Sequence, residues 1–200
     1  MTMSIDYALK YCYDFHQFIL SQLAGVRYEE TPRALLALAY AAITLEHQYA
    51  ILTLSRSNIR GSALALLRPQ VETAFRGLWA MKCATDDQVE AIGQGGTELF
   101  PRFRETAKIL DAAYGYQEYP YFRGIAQEWR GLCGLTHSGL EQLSRRFRDD
   151  GSVGPNYPDE QIAGLLHFSP SVTAALFVPV FVLIGYQDKA TDLENWAVQR

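Results

Sequence analysis

The sequence predicts an all-α protein, one helical bundle of six to seven helices spanning residues 1–200 as a single domain. Three observations predict it. Apolar residues in the long segments recur every three or four positions, the period of a helix face, rather than every second position. Proline is scarce, at 8 of 200 residues. Hydrophobic residues make up 48% of the chain and charged residues 20%, enough to bury a substantial single core.

In chain order, Ser4–Ala24 reads as the first helix, with Ile5, Leu9, Cys12, Phe15, Ile19 and Leu23 on one face and Gly25 ending it. Thr31-Pro32 starts the second, a hydroxyl cap followed by a proline in the first turn, where its missing donor costs nothing. That helix, Pro32–Ser55, is apolar nearly all round and is therefore central. Glu46 lies near its seam Leu35, Ala39, Ala42 and Tyr49, where a carboxylate needs a partner. The third segment, Ile59–Lys82, carries an inner seam of Leu64, Leu67, Val71, Ala74, Leu78 and Met81. Arg68, Glu72, Phe75 and Trp79 form a stripe one position round. Pro69 removes a donor in mid-helix and deprives the Ala65 carbonyl of its partner, so a kink is expected beside Arg68 and Glu72. The short link between the two segments makes them an antiparallel central pair. Arg68 is expected to bond Glu72 or Glu46, and Glu46, His47, Arg68 and Glu72 read as an ion-pair network or as binding residues.

Thr85 to Gln88 has capping-box spacing and opens a short helix to Ile92. Gly93–Gly96 is a break, and Pro101–Tyr114 is helical again. The following aromatic turn, Tyr114 to Phe122, either plugs a bundle end or offers rings for stacking. Tyr121–His137 is read as one helix on the seam Phe122, Ile125, Trp129, Leu132 and Thr136. Leu140–Arg148 adds a further turn ending in R-R-F-R, and the stretch to Pro158 is a surface loop. Asp159–His167 is a short helix, with Ser169-Pro170 capping a last long one that Pro179 kinks.

Composition limits the function classes. A formal net charge of −4 argues against a broad non-specific nucleic-acid face. Three widely spaced cysteines, with no CxxC or Cys/His spacing, imply a reducing compartment without disulfides or structural zinc. The first residues lack a basic region followed by an apolar run, so a cytoplasmic location is expected. The most apolar run, Val172–Gly185, is too short for a bilayer span, and no membrane association is expected. No phosphate-binding glycine loop, nucleophile elbow or paired carboxylate–histidine helix is present, so no cofactor and no metal are implied.

Arg123, Arg130 and His137 follow one another at intervals of seven, one stripe if their helix is continuous. Gly131 and Gly134 thin that helix for close approach. The stretch Arg130-Gly-Leu-Cys-Gly-Leu-Thr-His137 resembles the R-x(4–6)-H motif of the HEPN family of small helical bundles, although Gly131 stands where that pattern usually has a polar residue. The sequences L-L-R-P-Q-V-E and T-H-S-G are similar to those of bacterial helical proteins grouped near it. The resemblance implies a homodimer with its site at the shared interface and a metal-independent endoribonuclease of toxin or phage-defence type, held by an antitoxin or regulatory protein. It implies RNA as substrate, with His137 moving a proton and Arg130 stabilising the phosphate. A different reading stays open beside it: a non-catalytic helical module for dimerisation or partner binding, suggested by Gly131, Gly134 and the acidic surface.

Overall fold

Local capping chemistry sets three of the helix starts. In a computed structural model that describes residues 4–96 and 99–198, the Ser4 side chain accepts the Tyr7 amide and opens α1, Ile5–Leu23. Thr31 accepts the Ala34 amide and opens α2, Pro32–Arg56, with the proline in the first turn as expected. Thr85 and Gln88 close a reciprocal capping box at α5, Asp86–Gly93. Between these lie α3, Arg60–Ala65, and α4, Leu67–Lys82. Then follow α6, Phe103–Ala113; α7, Tyr121–Gln127; α8, Trp129–Thr136; and α9, Leu140–Leu143, which runs into a single 3-10 turn at Ser144–Arg146. Two last helices, α10, Asp159–Leu183, and α11, Gln187–Val198, complete the bundle. The described residues contain no strand, only an isolated bridge between Phe147 and Val153.

The fold is all-α, but it holds eleven α-helical segments among the described residues, against the six to seven expected. Two expected helices are split. Ile59–Lys82 breaks at Leu66, because Pro69 cannot donate to the Ala65 carbonyl. Tyr121–His137 breaks at Glu128, and its C-terminal part stops at Thr136. Two others are merged: α10 runs unbroken from Asp159 to Leu183, with Pro170 and Pro179 both inside it. Ser169-Pro170 is therefore no cap. Burial outweighs the lost bond, since Ser169, Pro170 and Thr173 are enclosed and Gln70 of α4 donates to both the Ser169 carbonyl and the Thr173 hydroxyl. The separate α11 follows Gly185, whose φ of 86° reverses the chain.

The core forms where α2, α4 and α10 meet. α4 runs back along α2 as expected of the central pair, and α10 packs on α1, α2 and α4. Gly77 sits at that junction: a side-chain carbon there would lie 2.9 Å from Leu176 of α10 and 2.9 Å from Tyr40 of α2. The inner seam expected of Ile59–Lys82 is buried at Leu64 of α3 and at Leu67, Val71, Ala74 and Leu78 of α4. By length and composition alone, the 25-residue α2 and α10 are apolar enough to cross a bilayer, but here they form the centre of the bundle.

Candidate functional site

The break before Pro69 turns a local sequence defect into a tertiary joint. The Ala65 carbonyl that Pro69 leaves free lies 3.0 Å from the hydroxyl of Thr136, the last residue of α8, which shares its proton between that carbonyl and the Leu132 carbonyl at 2.9 Å. The bond to Ala65 seats the end of α8 on the α3–α4 junction. Beyond it α8 ends sharply: Ser138 takes a left-handed backbone, φ 54°, and the Gly139 amide returns to the Gly134 carbonyl at 2.8 Å. His137 is left exposed at the tip, and Arg68 of α4 hydrogen-bonds its Nε2. An arginine can only donate, so the imidazole accepts at Nε2 and carries its proton on Nδ1.

Arg68 is held from three sides. Its guanidinium lies 4.9 Å over the Trp129 ring, faces His137, and is 3.8 Å from the Glu72 carboxylate one turn on. Glu72 is shared with Arg76 at 2.6 Å, and Arg76 lies 5.0 Å over the Phe100 ring. Of the two carboxylates expected to bond Arg68, Glu72 comes within ion-pair range without a hydrogen bond, and its own bond goes to Arg76. Trp129 ends a column of rings: it stacks on Phe103 at 3.6 Å, and Phe103 stacks on Phe75 at 4.8 Å. The Arg68 Nε–H is buried with no acceptor within the chain, so one donor of the guanidinium is left unused.

The other expected site residues stand elsewhere. Arg130 is exposed on α8 and makes no bond to His137. The break at Glu128 separates Arg123 from Arg130, so the heptad stripe does not lie on one continuous helix. Arg123 is bound instead to Asp111, whose buried carboxylate also accepts the Phe122 and Arg123 amides and so caps α7. Glu46 is exposed and His47 half-buried on α2, and neither bonds Arg68; the expected four-residue network reduces to Arg68 and Glu72. The seam assigned to α2 around Glu46 faces outward: Leu35 and Tyr49 are exposed by 45% and 47%, and Ala39 and Ala42 are exposed with them. Apolarity all round that helix hid which side was inside. Gly131 meets no neighbour, whereas Gly134 makes room, as expected of a thinned helix, for the Glu141 side chain of α9. Arg76, Trp129 and Thr136 complete the site without having been picked out for it. Only the spacing R-x3-E-x3-R of Arg68, Glu72 and Arg76 signals part of it in advance.

Away from this cluster, His16 is buried; its Nδ1 lies 2.8 Å from the Gln48 carbonyl oxygen, and its ring stacks on Tyr49. Burial pulls the His16 imidazole below its ordinary value, although the Gln48 bond opposes that shift. The Gln48 amide donates to the Cys12 carbonyl and sulfur, and burial pushes the Cys12 thiol up to about 12, an inert group.

A family model described as a family of unknown function (DUF6988) matches residues 41–199, a stretch that contains Arg68, Glu72, Arg76, Trp129 and His137. No curated protein and no solved structure matches the chain.

Proposed function

The chain belongs to the DUF6988 family, a family of unknown function, and we propose that it is a HEPN-like, metal-independent endoribonuclease centred on His137 and Arg68. The observation that carries this reading is the hydrogen bond from a ring-stacked arginine to a solvent-exposed imidazole, with Glu72 and Arg76 beside it. A phosphodiester oxygen is a stronger acceptor for the guanidinium than a neutral imidazole is. Once it takes Arg68, the Nε2 lone pair of His137 is free to act as base. The ribose 2′-hydroxyl then attacks the neighbouring phosphorus, its proton passes to His137, the bond to the 5′-oxygen breaks, and the leaving oxygen takes a proton back. The product ends are a 2′,3′-cyclic phosphate and a 5′-hydroxyl. Arg130, exposed on the same helix as the motif, serves as a second phosphate contact.

Purified protein incubated with total RNA in a chelator tests this. Cleavage to cyclic-phosphate ends is expected, with His137→Ala slower by about 10²–10⁴-fold. Arg68→Lys is expected to lose most of the rate too, since a lysine cannot both stack on Trp129 and fork to two acceptors. If His137→Ala cleaves unchanged, or the chelator abolishes cleavage, the mechanism is wrong. If folded protein cleaves nothing, the second reading takes its place: a dimerisation or partner-binding module that docks a second copy or a regulatory protein. The outward apolar seam of α2 favours that one. The cytoplasmic location belongs to the same proposal.

A further inference from the structure

A cleft of about 760 Å³ opens between α4, the aromatic turn before α7, α10 and α11. Its size falls within the roughly 300–1,000 Å³ typical of small-molecule sites. Leu78 and Met81 of α4 and Val178 and Val182 of α10 line it with hydrocarbon. Its polar groups are few. Pro179 has no amide hydrogen, so the Ala175 carbonyl lacks its ordinary helical donor, and both residues line the cleft. On the opposite wall stand Tyr114, Tyr116 and Tyr121, and among the described residues no hydroxyl of the three is hydrogen-bonded within the chain. Burial raises the Tyr114 phenol above its ordinary value. The charges lining the cleft, Lys82 and Glu194, are of opposite sign and favour neither anion nor cation.

We propose that this cleft is a binding site for a neutral, apolar small molecule carrying at least one hydrogen-bonding oxygen. The hydrocarbon walls take up the body of the ligand. The tyrosine hydroxyls donate to its oxygen, and a hydroxyl on the ligand finds an acceptor at Ala175. A charged ligand would lose its hydration without a compensating partner. The site is separate from the Arg68–His137 cluster and needs no RNA cleavage to exist.

The test uses the full chain and prodan, a neutral naphthalene ketone whose emission moves to the blue in apolar surroundings and back to the red when its carbonyl accepts a hydrogen bond. Saturable binding of one prodan per chain is expected. Ala175→Trp, which fills the cleft from a half-buried position, should weaken binding at least tenfold. Tyr114→Phe should weaken it by about 3–10-fold, the worth of one neutral hydrogen bond, and shift the bound emission further to the blue. Should Ala175→Trp fail to fold by circular dichroism, Val182→Gln on the exposed rim replaces it, with the same loss expected. Non-saturable binding, or unchanged affinity in the folded cleft variants, overturns the proposal. So does a cleft covered by a second copy, seen as a chain mass that falls from dimer to monomer on Ala175→Trp.

Discussion

The polar residues of this protein divide by what burial asks of them. His16 is enclosed, and its fold favours the neutral ring with Nδ1–H given to Gln48. Its pKa in the fold lies below the ordinary 6.5, so its contribution to stability is present above that value and is lost as pH falls through the folded value. His47 is shifted the same way by burial, although Glu46 opposes it. The melting temperature is therefore expected to drop as pH falls below about 6.5. His16→Gln, which cannot titrate, should flatten part of that drop; an equal slope in wild type and variant over pH 5–7 would contradict it. Arg68 lives under the opposite demand. It remains charged, and Trp129, Glu72 and His137 hold it at the edge of solvent, where an incoming anion can compete for it.

At the scale of elements, Pro69 and Thr136 act as one device. The proline frees a carbonyl on the α3–α4 line, and the last residue of α8 fills it, which fixes the approach of α8 and with it the place of His137. Thr136→Val keeps the shape and removes the donor. It is expected to cost about 1 kcal/mol of stability, a few degrees of melting temperature in a chain of this size. It should also lower any RNA cleavage by more than its small effect on folding explains. Cleavage equal to wild type from Thr136→Val would show that the bond does not position His137. The ring column Phe75–Phe103–Trp129 joins α4, α6 and α8 beneath Arg68, so the arginine stands on three packed elements, while His137 lies in the turn just past α8.

Across the whole molecule, the outward seam of α2 is the surface that a lone chain leaves least explained. Leu35, Ala39, Ala42 and Tyr49, with Ile43 beside them, line the outer side of a helix whose opposite face is the centre of the core. Sedimentation of the wild-type chain is expected to show concentration-dependent self-association. Ile43→Glu, placing a charge beside that seam, should shift it to monomer while leaving the stability within about 0.5 kcal/mol of wild type. A wild-type mass that stays at one chain throughout the concentration series would remove α2 as a self-docking face.

The starts of α2 and α5 were readable from Thr31-Pro32 and Thr85–Gln88, because a cap is settled by side chains and amides three residues apart. The all-α class and the inner seam of α4 were readable for a similar reason, since helix period is a property of neighbours in sequence. Only the tertiary structure decided the rest. Pro170 stops nothing inside α10, because enclosure by α4 outweighs its missing bond. The inside of α2 could not be chosen from a pattern apolar on every side. Arg68 and His137 stand 69 residues apart and meet through the carbonyl that Pro69 leaves open, so Arg130, seven residues from His137 in sequence, is not the arginine that reaches it. Spacing along a chain specifies a face only while the helix continues, and each break here hands the choice of neighbour to packing.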